Sequence, residues 1–132
     1  MRLKALDEDD RREFEVRVAG PSGLLVAKLH KLVDRSGERE AKRLKDKDAL
    51  DVFRLLRAIP VEPLARGLRE LGDSTLAGDV TREAIEHLQA LFGATSSPGT
   101  VMVVRATERI EDPNVMTASC VALADDLIRA LR

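Results

Sequence analysis

The sequence predicts a mainly α-helical protein, a helical bundle with one N-terminal β-strand available to pair at a sheet edge or a dimer interface. Three observations carry that expectation. Apolar residues recur at helical spacing in segment after segment. With three Phe and neither Trp nor Tyr, the core must be built mostly from Leu, Val, Ile and Ala, a mix that favours helices. Clear alternation of apolar and polar residues is confined to a short stretch near the N-terminus, where a strand is expected.

That strand spans residues 12–19, with Phe14, Val16 and Val18 on one side and Glu13, Glu15 and Arg17 on the other. A strand with one apolar face needs a neighbour, and the chain offers few other segments of period two. Gly20, Pro21, Ser22 and Gly23 then form a helix-entry turn, and residues 24–34 read as a helix with Leu25, Leu29, Leu32 and Val33 inward. Lys28, Lys31 and Arg35 make a cationic stripe on another side of it. Residues 36–46 are too polar to bury and read as a basic loop, longer than the roughly 2 to 8 residues usual between helices.

The next helix is expected from about residue 47 to residue 58, with Asp46 as N-cap, Asp48 and Asp51 in its first turn, and Pro60 ending it. Val52, Leu55, Leu56 and Ile59 form its inner stripe. A short amphipathic helix over 63–71 stops at Gly72, and another opens at Asp79 or Thr81 and runs to Phe92 with Ile85, Leu88 and Leu91 inward. After a turn-rich linker at 94–99, residues 100–110 mix a β-branched run at Val101, Val103 and Val104 with helix-forming flanks; the reading here is helix. Asp112 and Pro113 start a last helix over 114–131.

At 132 residues the chain fits one domain, 1–132, organised as the strand, a helical hairpin with a basic loop over 24–59, and a helical remainder over 61–132. A formal charge of -1 supplies no global field for nucleic acid or an anionic membrane, so polyanion binding would have to come from a local patch. The single Cys120 excludes an internal disulfide and reads as a core residue. With neither a signal-like segment after Met1 nor a run of about 18 apolar residues, the expected location is cytoplasmic, away from membrane.

Two segments carry the chemistry: residues 24–32, Leu-Leu-Val-Ala-Lys-Leu-His-Lys-Leu, and residues 47–56, Lys-Asp-Ala-Leu-Asp-Val-Phe-Arg-Leu-Leu. Together they resemble the C-terminal half of nucleotidyltransferase-like proteins of the AbiEii type, the toxin side of some bacterial toxin–antitoxin pairs, over roughly residues 12–59. The resemblance implies that Lys28 and the Lys47, Asp48 and Asp51 segment are site residues, inherited or vestigial. A lysine beside polyphosphate neutralises its charge, and a carboxylate pair can orient that lysine or take a proton from a hydroxyl. Lys31, Arg43, Lys45 and Lys47 would supply phosphate-binding charge.

The chain departs from that family pattern upstream. Such enzymes begin with a Gly-Ser turn and an Asp-x-Asp strand that cradle the triphosphate and bind metal, and neither precedes Phe14. The run from Asp7 to Asp10 lacks both the turn and the alternation. No metal ligands are assigned. Mg and a nucleoside triphosphate would act only where another segment or chain completed the site, so the expectation is a truncated or degenerate member that binds nucleotide or phosphate without catalysing transfer alone.

Plainer readings stand beside this one. Lys28, Asp48 and Asp51 can form an ordinary exposed ion pair between antiparallel helices, with Asp48 favoured by the helix dipole. The basic loop can be a solvated linker, since no aromatic is interleaved to stack on bases, which makes nucleic acid the least favoured partner. His30 and His87 lie far apart in the chain and read as separate, partly buried side chains rather than metal ligands. The alternative function is a helical protein-interaction module, an antitoxin or regulatory subunit, with a protein partner or a second copy as its ligand.

Overall fold

A computed structural model describes residues 20–34 and 42–132, and they form six helices in order: α1 (Pro21–Asp34), α2 (Lys42–Ala58), α3 (Val61–Gly72), α4 (Gly78–Phe92), α5 (Pro98–Thr107) and α6 (Pro113–Leu131). Among the described residues there is no strand, so the expected mainly helical bundle is what these residues build. The strand expected at 12–19 lies outside them, as does Arg35.

Each helix contributes one apolar stripe to a shared core. Leu25, Leu29 and Leu32 of α1 meet Ala49, Val52, Phe53 and Leu56 of α2, while Leu64 and Leu68 of α3, Ala84, Leu88 and Phe92 of α4, Val103 of α5, and Cys120, Ala124 and Leu127 of α6 complete it. Alanines at 49, 84 and 124 are completely buried, which lets backbones approach where larger side chains would hold them apart. The helix expected over 100–110 runs Pro98–Thr107; Met102, Val103 and Thr107 turn inward while Val101 is exposed and Val104 half-buried, so the β-branched run is divided between faces of one helix. Tertiary packing outweighs β propensity there.

Helix starts lie earlier than the periodicity indicates. Pro21 occupies the first turn of α1, where its missing N–H costs nothing, and Gly20 before it takes φ +71°, a conformation glycine adopts without a Cβ clash. Asp112 caps α6 as expected, its carboxylate accepting the Asn114 amide at 2.8 Å. The α2 boundary corrects two expectations at once. That helix begins at Lys42, so Arg43 and Lys45 are helical rather than loop residues, and Asp46 is inside the helix rather than its N-cap. Lysine, arginine and leucine are strong helix formers, and their local propensity carries the helix back through the polar stretch.

Long-range polar contacts set how the helices cross. The Ser22 hydroxyl donates to the Leu64 carbonyl at 2.9 Å, pinning the start of α1 on α3. A Cβ at Gly67 would stand 2.7 Å from the Ser22 Cβ, so this crossing requires glycine. Arg69 of α3 donates to the Ala130 carbonyl at 2.8 Å near the end of α6, where open carbonyls attract a cation. Helix α1 thereby rests on α2, α3 and α4, with α6 against α3, α4 and α5 on the far side.

Candidate site on the α1 and α2 face

Lys28 and Lys31 are one turn apart on α1, as are Asp48 and Asp51 on α2. The two helices pack together, and the lysines meet the aspartates in pairs: Lys28 Nζ lies 3.7 Å from an Asp51 oxygen, and Lys31 Nζ 3.9 Å from an Asp48 oxygen. Advancing three residues on α1 matches retreating three on α2, which is the register of antiparallel neighbours. The three residues singled out as catalytic therefore share one face with Lys31.

Their environments differ. Lys28 and Asp51 are each 29% exposed at the side chain, while Lys31 is 55% exposed and Asp48 only 9%. Asp48 is thus held by the helix interface and Lys31 reaches toward it from solvent. Both separations exceed the roughly 2.7–2.9 Å of a charge-assisted hydrogen bond, and exposed pairs of this kind contribute about 0–1 kcal/mol.

The early start of α2 changes the electrostatic argument for the aspartates. Asp48 and Asp51 stand in the body of the helix and its first turn is without acidic residues, so the favourable helix dipole expected for Asp48 is not what holds it. Lys31 of α1 stands 3.9 Å from it across the helix interface. Lys45, three residues before Asp48, is half-buried; Lys47, four before Asp51, is exposed; Arg43 belongs to the first turn. The cationic charge expected from a loop is delivered along a helix.

Asp46, two residues before Asp48, makes a different contact. Its carboxylate receives Arg105 Nε at 2.7 Å and a terminal guanidinium nitrogen at 2.6 Å, a two-pronged bridge from α2 to α5. Hydrogen bonding to Asp46 raises the Arg105 pKa, partial burial opposing it and the charges of Asp46 and Glu108 adding to it. Arg105 also borders a cleft of about 290 Å³ with Thr95, Val101, Val104, Glu108 and Thr117. Sequence reading assigned Arg105 no role, because nothing in local spacing links residue 105 to residue 46.

The histidines are a second contact unseen in the sequence. His30 of α1 and His87 of α4 meet edge to face, ring centroids 5.2 Å apart and planes at 84°, with His30 Nε2 2.9 Å from the Val80 carbonyl. Far apart in the chain, they are neighbours in the fold. Among the described residues no group of three or more His, Cys, Asp or Glu is arranged to hold a metal ion. Among them, too, no helix is long and apolar enough to cross a membrane. Cys120 is completely buried, and burial pushes its thiol up to about 11.

Comparison with known proteins finds no matching family model, no matching curated protein and no matching solved structure.

Proposed function

We propose that this chain is a nucleotidyltransferase-like helical protein of the AbiEii type whose α1 and α2 face binds the phosphates of a nucleotide, and that it does not transfer a nucleotidyl group by itself. The observation that supports this reading is the convergence of Lys28, Lys31, Asp48 and Asp51 from two helices, the lysines held by contacts of 3.7 and 3.9 Å. Ammonium groups held so loosely can exchange a carboxylate for a polyphosphate, which offers more charge and more acceptor oxygens. Lys28 is then the phosphate contact, with Lys31, Arg43, Lys45 and Lys47 adding attraction. Asp48 and Asp51 position the lysines.

Magnesium and a nucleoside triphosphate would enter together where another segment or chain brings the metal-binding carboxylates that the family's Asp-x-Asp strand supplies. A cytoplasmic role on the toxin side of a bacterial toxin–antitoxin pair follows from the same resemblance. The test is calorimetric and thermal titration with ATP, CTP, GTP and UTP, with and without MgCl₂. Saturable binding that Lys28→Ala abolishes and Arg109→Ala, an exposed control on α5's trailing turn, leaves intact is the expected result. No binding of any of the four would overturn the reading.

A second reading, a helical interaction module serving a protein partner or a second copy, draws on Ile110 in the turn after α5 and Val115 in the first turn of α6, which are 78% and 55% exposed. Light scattering tests its self-association form: a dimer lost in Ile110→Ser supports it, and a monomer at all concentrations removes that form.

A further inference from the structure

We propose that His30 and His87 form a two-histidine site for a divalent transition-metal ion of the imidazole-preferring kind, with Zn²⁺ as the probe. The inference is independent of the nucleotide reading, since the pair lies between α1 and α4 and uses none of the residues on the α1 and α2 face. These are the chain's two histidines, and the fold brings them together.

The hydrogen bond at His30 sets the chemistry. A carbonyl oxygen accepts only, so the 2.9 Å contact with Val80 requires His30 Nε2 to carry the proton and donate it. In the neutral ring this leaves the Nδ1 lone pair for a metal. Metal-bound histidines commonly donate their other N–H to a backbone carbonyl, which orients the ring and raises its basicity. Here that support is part of the fold, because Val80 lies in the first turns of the helix that carries His87.

Ring separation agrees with a shared ion, while the edge-to-face orientation means that a ring must turn about its Cβ–Cγ bond for both in-plane lone pairs to converge on it. A zinc–nitrogen distance of about 2.0–2.1 Å, with the ring centre about 1.1 Å beyond, puts two imidazoles on a tetrahedral ion with centroids about 5 Å apart. The observed separation is 5.2 Å. Both rings are half-buried, so solvent reaches them while packed helices α1 and α4 hold their spacing. With no third His, Cys, Asp or Glu grouped with them among the described residues, water completes the coordination, and the site is an open one.

The test uses the full chain without a histidine tag. Calorimetry and thermal unfolding with ZnCl₂ are run on the wild type, His30→Gln and His87→Gln, with MgCl₂ as the hard-cation control. Expected are one saturable Zn²⁺ site per chain, a rise in Tm that either substitution removes, and no response to Mg²⁺. Long-range imidazole ¹H–¹⁵N spectra of the wild type give a readout that needs no variant: the metal must fall on Nδ1 of His30, with its Nε2 still protonated. Absence of saturable Zn²⁺ binding, binding retained in either variant, or unmoved imidazole nitrogens would each reduce the pair to an edge-to-face packing contact.

Discussion

Helix α2 makes two kinds of charged contact within six residues. At Asp46 it meets the Arg105 guanidinium along two hydrogen bonds of 2.7 and 2.6 Å; at Asp48 and Asp51 it meets lysines of α1 at 3.9 and 3.7 Å. The first joins α2 to α5 with geometry that a planar fork and a carboxylate satisfy together. The second pairs flexible ammonium groups with carboxylates at a distance where direct hydrogen bonding is weak. Ion pairs on one helix thus divide into a two-pronged brace and looser pairs, and separation tells them apart better than residue type does.

The largest effect expected belongs to the core that supports both contacts. Cys120 has its folded pKa raised from 9.0 to about 11, so above pH 9 the unfolded chain releases a proton that the folded chain keeps. Stability is then lost as pH rises from about 9 to 11, by up to roughly 3 kcal/mol. Urea unfolding across that range should show the decline, and Cys120→Ala should flatten the thiol's share of it from a lower starting stability. Comparisons of the two charged contacts therefore belong below pH 9.

Within that range, Arg105→Met should cost about 1–3 kcal/mol in urea unfolding, below the value for a wholly buried pair because Arg105 is 39% exposed to screening water. Asp46 is left at 14% exposure without its fork. A cost as small as a few tenths would show that short distances alone do not make a brace.

Double-mutant cycles give the next smaller effect. The Lys31 and Asp48 pair should couple by about 0–1 kcal/mol, and raising NaCl toward 1 M should erode that coupling more than the one between Asp46 and Arg105. Equal salt dependence would erase the distinction between the two contacts. The smallest effect is expected for Lys28→Met alone, a few tenths of a kcal/mol in stability, even where nucleotide binding disappears. A loss of several kcal/mol would make Lys28 a structural residue and weaken the phosphate reading.

Much of the helical content was legible in the residues. Leu25, Leu29 and Leu32, then Val52 and Leu56, and later Leu88 and Phe92 stand at core spacing in the chain and are buried in the fold. Asp112 announced the start of α6 by its chemistry. Boundaries were less legible where a polar segment could continue a helix, as at residues 42–46, because helix propensity there works without an apolar stripe to mark it. Of the candidate site, spacing put Lys28 and Lys31 on one helical face and Asp48 and Asp51 on another. It left open whether those faces met.

The residues alone therefore determined the period of each helix, its apolar face, the near-neutral charge and the set of groups available for chemistry, all consequences of local spacing and composition. Tertiary structure decided which groups became partners: Lys28 with Asp51, Lys31 with Asp48, Asp46 with Arg105, and His30 with His87. The reason lies in distance along the chain. A helical repeat constrains residues three or four apart, whereas contacts between helices depend on crossing positions set by side-chain volume and close approach, as at Ser22 against Gly67.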